Sequence, residues 1–86
     1  RIKMTKEEII SKLTVIIKPY VQNEKGFKNI SEDTDFIKDL EINSANLVDI
    51  ILDVEDEFNI EIDNDSMEKM LSVKATVAII QEKMNG

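Results

Sequence analysis

Apolar residues recur three and four positions apart in three stretches of this 86-residue chain, and this spacing limits the fold more than any other feature. Such spacing lines one face of an α-helix, whereas a half-buried β-strand needs strict alternation. Ile60 and Ile62 alternate with Glu61, but two residues make no sheet. The sequence therefore predicts an all-α protein, and its length predicts a single domain over residues 1–86.

The first helix is predicted over about residues 5–22. Thr5 and Glu8 have the spacing of a capping box, in which each side chain bonds to the backbone of the other residue. Pro19 is expected to bend or end the helix because it lacks a backbone N–H. The apolar stripe of this helix consists of Ile9, Ile10, Leu13, Ile16, Ile17, Tyr20 and Val21.

Three further helices follow a long connection. The second is predicted from Ser44 to Asn59, a short third over residues 64–71, and the last from Val73 to Lys83. The buried stripe of the second helix consists of Leu47, Ile50, Ile51, Val54 and Phe58. The architecture expected is a four-helix bundle with a long first loop and a short third helix.

The long connection covers residues 22–43 and has no sustained period. A loop of this length in so small a domain usually has a function or packs locally. Its apolar side chains are expected to hold it against the core, and they are Phe27, Ile30, Phe36, Ile37, Leu40 and Ile42.

The charge of −7 is unevenly distributed, because residues 32–68 contain fourteen Asp and Glu against one Lys, a local charge of −13. Such a surface repels phosphate backbones and disfavours nucleic-acid binding, while it suits basic protein partners or cations. The chain has no Cys and no His, so disulfides, thiolate catalysis and the commonest metal ligands are excluded. No apolar run could span a membrane, and we expect a cytoplasmic monomer without a resident metal.

Ser44 stands where the second helix begins. The ordinary role of a serine there is to cap the helix, and on local grounds this role is favoured. The alternative is that its hydroxyl holds a phosphodiester, which unpaired amides and the positive end of the helix dipole would stabilise. No general base or nucleophile elbow surrounds Ser44, so a hydrolase is not indicated.

The acidic side chains of the second helix are poorly placed for stability. Asp53 lies three or four residues from Asp49, Asp56 and Glu57, and each like-charge pair costs about 0.2–0.5 kcal/mol. Several acids also lie near the helix C-terminus, where the dipole favours cations. This arrangement indicates a surface for recognition rather than for solubility alone.

Residues 33–44, with the sequence Asp-Thr-Asp-Phe-Ile-Lys-Asp-Leu-Glu-Ile-Asn-Ser, resemble the acyl carrier protein family. The resemblance continues through the acidic helix and into the last one, and covers about residues 5–84. It implies that the protein is a carrier rather than an enzyme. Ser44 would bear 4′-phosphopantetheine, transferred from coenzyme A by a phosphopantetheinyl transferase, and the thiol of that arm would hold the acyl group.

The resemblance also implies surfaces for partners and cargo. Ketosynthases, reductases, dehydratases or acyltransferases would dock on the acidic helix, and matching positions place this face at Asn43, Asn46, Asp49, Glu55 and Asp56. A cleft for the acyl chain would be lined by Val48, Ile51, Val54, Ile62 and Met70.

Three residues depart from the family signature. Asn43 replaces an Asp before the serine, Ala45 replaces a Leu after it, and Glu41 stands where Gly is usual. These departures indicate a specialised carrier, of the kind found in secondary-metabolite or unusual-lipid biosynthesis, rather than the general fatty-acid carrier. A peptidyl or aminoacyl carrier and an unmodified interaction protein of the same fold are the alternatives.

Overall fold

The computed structural model describes residues 4–85, in which the regular structure is helical apart from one isolated β-bridge between Asp35 and Ser72. The all-α prediction is confirmed. The α-helices are α1 Lys6–Ile17, α2 Glu24–Lys28, α3 Leu47–Phe58, α4 Asn64–Lys69 and α5 Val73–Asn85. Two short 3₁₀ turns precede α2 and α3, at Lys18–Tyr20 and Ser44–Asn46.

The start of α1 has the predicted capping box, but its end differs from the prediction. Thr5 Oγ1 accepts from the Glu8 N–H at 3.2 Å, and the Thr5 N–H donates to Glu8 Oε1 at 2.9 Å. The hydrogen bond from the Thr5 backbone lowers the pKa of Glu8. The α-helix stops at Ile17 rather than near residue 22, because Pro19 cannot supply the N–H that another α-turn requires.

The long connection contains α2, a helix that the sequence pattern did not predict. Five residues are too few to show a helical period. Asn23 caps α2 by accepting from the Gly26 N–H at 3.3 Å. A side chain at Gly26 would collide with the Asp39 carbonyl oxygen, so glycine lets α2 lie directly against the end of the loop.

The buried apolar side chains form one core, built from α1, α3, α5 and the connecting segments, and the partly buried Phe27 of α2 and Met67 of α4 pack against it. Phe36, Leu40 and Ile42 of the connection are fully or almost fully buried, as predicted. Ile37 is 39% exposed, and the expectation that it packs into the core is wrong. The backbone turns at this point, which carries Ile37 to the outside.

Backbone hydrogen bonds join the connection to the start of α5. The Phe36 N–H donates to the Leu71 carbonyl at 2.9 Å, and the Val73 N–H donates to the Thr34 carbonyl at 3.0 Å. The second of these bonds satisfies one of the amides that a helix start leaves unpaired. The connection is therefore part of the packed structure rather than a free loop.

An ion pair links the residue before α4 to the end of α5. Asp63 Oδ1 lies 3.0 Å from Lys83 Nζ. Hydrogen bonds from the Ser66 side chain and from Lys83 lower the pKa of Asp63 to about 2. Within the described residues, no helix is both long enough and apolar enough to cross a membrane.

Candidate functional site

Two aspartates shape the segment that precedes Ser44. Asp35 Oδ1 accepts from the N–H groups of Ile37 and Lys38, at 2.9 Å each. Asp39 Oδ2 accepts from the Asp35 N–H at 2.7 Å. Carboxylates that bond nearby amides in this way stabilise turns. These two acids of the motif therefore have a structural role.

Two buried side chains then direct the chain towards Ser44. Leu40 and Ile42 lie in the core, and the Ile42 N–H donates to the Phe36 carbonyl at 3.0 Å. Glu41 lies exposed between them with a φ of 54°, a backbone conformation that favours glycine. This geometry brings the next residues, Asn43 and Ser44, to the surface.

Asn43, rather than Ser44, caps the helical segment that follows. Asn43 Oδ1 accepts from the Ala45 N–H at 2.9 Å, and the Asn43 carbonyl accepts from the Asn46 N–H at 2.8 Å. The Ser44 side chain is exposed, and its hydroxyl forms no hydrogen bond within residues 4–85. The capping role favoured for Ser44 on local grounds is therefore wrong, and its hydroxyl is accessible for modification.

The amides at this helix start are already bonded. Acceptors on Asn43 hold the N–H groups of Ala45 and Asn46, and the Leu47 N–H donates to the Ser44 carbonyl. These three N–H groups are not free to bind a phosphodiester, so the expectation that they are unpaired is wrong. What remains favourable to an anion at Ser44 is the positive end of the α3 dipole.

Two acids of α3 are engaged in holding the fold. Glu55 Oε2 accepts from the Ile62 N–H at 2.7 Å, and the Glu55 side chain is half-buried. Glu57 forms an ion pair with Lys12 of α1 at 3.1 Å. Glu55, which the resemblance places on the docking face, thus fastens the segment after α3 to the helix.

Asp53 faces Tyr20 at the end of the first helical segment. The Tyr20 hydroxyl lies 3.4 Å from Asp53 Oδ2, at the long end of hydrogen-bond distances. Burial of the ring and the charges of Asp53 and Asp49 raise the pKa of Tyr20. Tyr20 is protonated at neutral pH, as an ordinary tyrosine is, and its hydroxyl can donate to the carboxylate.

The outer face of α3 consists of Val48, Asp49, Leu52 and Asp56, which fall within an arc of about 100° on a helix with 3.6 residues per turn. Asp49 and Asp56 are exposed, and neither forms a hydrogen bond or ion pair in the described chain. Val48 and Leu52 are 51% and 55% exposed. No group of three or more acidic side chains in residues 4–85 is arranged to hold a metal ion.

Val48 was expected to line the acyl cleft, and its side chain is about half exposed. It lies about 100° from Leu47 around the helix, outside the buried stripe. Leu52, on the same side one turn later, was not singled out from the sequence. The helical angle was a usable signal for Leu52, which lies about 100° from Ile51 and about 160° from Val54 around the helix, but not for Val48, which lies only about 60° from Ile51.

The other four residues predicted to line the cleft lie together in the core. Ile51, Val54, Ile62 and Met70 have between 0% and 7% of their surface exposed. Surface pockets of about 370 and 210 Å³ lie elsewhere, one lined by residues of α2 and the long connection and the other by residues of α1 with Glu57. Neither of these two pockets is lined by the predicted cleft residues, which belong to the packed core.

A short helical domain with an accessible serine before an acidic helix defines the class of carrier domains, and comparison with known proteins agrees. A family model described as the phosphopantetheine attachment site matches residues 25–80. The chain is 38% identical over 78 residues to an acyl carrier protein of Lactobacillus acidophilus, with 91% of this chain and 95% of that protein covered. It is 32% identical over 80 residues to an acyl carrier protein of Thermotoga maritima, covering 93% and 96%.

The fold is also shared with a solved structure of the acyl carrier protein from Enterococcus faecalis. The two superpose with a TM-score of 0.75 at 30% identity, over 93% of this chain and 99% of the other. The chain therefore belongs to the acyl carrier protein family. It is a non-catalytic carrier of acyl groups, and its cofactor is 4′-phosphopantetheine.

Proposed function

We propose that Ser44 is the residue that carries the 4′-phosphopantetheine arm. The observation that supports this assignment is that Asn43, and not Ser44, caps the helix start. Asn43 satisfies the helix start, so the Ser44 hydroxyl is exposed and unbonded in the described chain and can be esterified without loss of a structural hydrogen bond. When bound, the arm supplies a thiol that holds the acyl group as a thioester.

The test is transfer of the arm from coenzyme A by a promiscuous phosphopantetheinyl transferase with Mg²⁺. Intact mass should show one added phosphopantetheinyl group on the wild-type protein and none on Ser44→Ala. Because the hydroxyl makes no bond, Ser44→Ala should change the free energy of unfolding by less than the roughly 0.5–2 kcal/mol that loss of a cap costs. Addition to Ser44→Ala at any other serine would overturn the assignment.

The outer face of α3 is proposed to dock the partner enzymes. These are the transferase and the ketosynthase, reductase, dehydratase or acyltransferase that act on the carried group. Asp49 and Asp56 supply charge that is not neutralised by a nearby cation, and Val48 and Leu52 supply apolar area beside it. Charge steers a basic partner onto this face, and burial of apolar area adds affinity.

The other three residues predicted to meet partners contribute less directly. Asn43 caps the helix start, Asn46 is half-buried, and Glu55 is bonded to Ile62. Asn43 is exposed beside Ser44 and is proposed to be read by partners through its neutral amide.

The acyl chain is proposed to enter the core between α3 and the segment from Ile62 to Met70. The side chains there are buried and apolar, so they would have to move apart to admit it. The flexible thioether of Met70 favours such rearrangement, because methionine adapts to irregular spaces. The pathway is proposed to be a specialised one, on the basis of the departures at Asn43, Ala45 and Glu41. A cytoplasmic location is proposed from the similarity to bacterial acyl carrier proteins.

A further inference from the structure

Thr76 is a polar residue in the core whose hydroxyl has no partner. It lies in α5 with none of its surface exposed, and its Oγ1 atom forms no hydrogen bond with any described residue. The hydroxyls of the other three threonines are bonded. Thr5 Oγ1 accepts from the Glu8 N–H, Thr14 Oγ1 donates to the Ser11 carbonyl, and Thr34 Oγ1 accepts from the Ser31 N–H.

The missing bond is unusual for a threonine in a helix. Such a side chain commonly bonds the carbonyl three or four residues earlier, as Thr14 does at 2.7 Å. Thr76 instead leaves its hydroxyl fully buried and unpaired, which is unfavourable for a polar group. Valine has nearly the same shape and would avoid that cost, so the residue type is not explained by packing of the free protein.

We propose that the Thr76 hydroxyl receives an oxygen atom of the carried acyl chain, so that the preferred cargo is an oxo- or hydroxyacyl group rather than a saturated one. This inference rests on the proposed function, in which the arm on Ser44 delivers the chain into the core. A hydroxyl can donate to a ketone and can both donate to and accept from an alcohol. A saturated chain offers neither, and would leave Thr76 unpaired.

The test compares cargo with and without an oxygen in proteins with and without the hydroxyl. Wild type and Thr76→Val are loaded at Ser44 with octanoyl, 3-oxo-octanoyl, 5-oxo-octanoyl or 7-oxo-octanoyl groups, linked to the arm by an amide that does not hydrolyse. Urea unfolding then gives an equilibrium constant for each protein. We compare the unfolding equilibrium constant of wild type with that of Thr76→Val for each cargo. For at least one oxo cargo, this ratio should be about two- to tenfold lower than for octanoyl, which is the effect of one net hydrogen bond.

Infrared spectroscopy supplies a readout that packing alone would not change. The ketone stretch of the oxo cargo that protects wild type should lie at lower frequency in wild type than in Thr76→Val, because a hydrogen bond weakens the C=O bond. Free Thr76→Val should be at least as stable as the free wild type, since the variant loses an unpaired group. Thr34→Val is the matched control, because it removes a buried hydroxyl that is bonded, and should destabilise the protein equally with every cargo.

Three outcomes would contradict the inference. If no oxo cargo distinguishes wild type from Thr76→Val, the hydroxyl does not meet the chain. If Thr76→Val destabilises the free protein as Thr34→Val does, the hydroxyl already has a partner. If intact mass shows that wild type gains no arm at Ser44, the proposed function fails as well, and this result is visible before any cargo is compared.

Discussion

At the scale of the residue, Asn43 shows how a departure from the family signature keeps the local structure. The oxygen of its side-chain amide accepts from the Ala45 N–H, which is the bond an aspartate would make there. The substitution therefore removes a negative charge without removing the cap. Any functional effect of Asn43 must come from that charge rather than from a change in the path of the chain.

Glu41 is a departure that should cost stability. Its φ of 54° lies in the left-handed region, which costs an ordinary residue about 1–2 kcal/mol. Glu41→Gly removes this strain but adds freedom to the unfolded chain, worth about 0.4–1 kcal/mol. We expect a net gain of about 1 kcal/mol or less in the free energy of unfolding, measured by urea denaturation.

Asn59 provides the control for this prediction. Its φ is also 54°, but asparagine tolerates the left-handed region better than glutamate does. Asn59→Gly should therefore raise stability less than Glu41→Gly, or not at all. Equal gains at the two positions would mean that the gain at Glu41 does not come from strain.

The sequence predicted the role of Ser44 only through the family resemblance. On local grounds the serine was a helix cap, because sequence cannot show which of two adjacent capping residues makes the bond. The structure gives that bond to Asn43. The strain at Glu41 could be anticipated, since glycine is usual there, but the unpaired hydroxyl of Thr76 could not, because it depends on packing around α5.

At the scale of the element, the acids of α3 divide between structure and surface. Glu55 and Glu57 join α3 to other parts of the fold, through the Ile62 N–H and Lys12 respectively. Asp49 and Asp56 make no such bond in the described chain. The excess of acid that the sequence shows is thus only partly available for recognition, and charge counting alone cannot separate the two groups.

Alanine at two neighbouring positions of α3 separates these roles. Glu55→Ala leaves the partly buried Ile62 N–H without its acceptor, so we expect a loss of about 1–3 kcal/mol of stability. Asp56→Ala removes an exposed negative charge near the helix C-terminus, where the dipole favours cations, and should gain about 0.3–1 kcal/mol at low salt. Urea denaturation of the unmodified proteins measures both changes.

Partner binding should depend on Asp56 rather than on Glu55. Asp56→Ala should raise the KM of the transferase, whereas Glu55→Gln, which keeps an acceptor oxygen for Ile62, should leave KM almost unchanged. If Glu55→Gln raises KM as much as Asp56→Ala does, Glu55 belongs to the docking face after all.

Helix prediction succeeded where a helix is long and failed where it is short. The stripes of α1, α3 and α5 span three or more turns, which is enough for the period to appear in the sequence. Five-residue α2 has no such signal, and it exists because Asn23 caps it and Gly26 fits against the Asp39 carbonyl. The cap is local but too weak a signal on its own, and the fit of Gly26 depends on tertiary structure, so it is invisible in a local window.

At the scale of the whole molecule, charge and exposed apolar area meet on the outer face of α3. Residues 32–68 carry the acidic excess, and three ion pairs in the described chain neutralise part of it, through Lys6, Lys12 and Lys83. The remaining negative potential surrounds the exposed Val48 and Leu52 on the outer face of α3. A partner with a basic rim and an apolar centre would match this surface.

The departures beside Ser44 should set which partners accept this surface. Loaded wild-type protein is expected to be a poor substrate for a ketosynthase of general fatty-acid synthesis. Asn43→Asp restores a steering charge while keeping the cap, and Ala45→Leu adds three carbons at an exposed position, worth about 0.8 kcal/mol each if the partner buries them. Together they should raise kcat/KM for condensation about ten- to hundredfold.

Salt and a matched variant separate the two contributions. The gain from Asn43→Asp should shrink as ionic strength rises, because long-range steering is screened, whereas the gain from Ala45→Leu should persist. Gln22→Glu with Ala78→Leu makes the same changes in charge and apolar area at exposed positions outside α3, and should not raise kcat/KM. If the wild type already turns over as fast as the double variant at positions 43 and 45, these residues do not select partners, and the proposal of a specialised pathway loses its support.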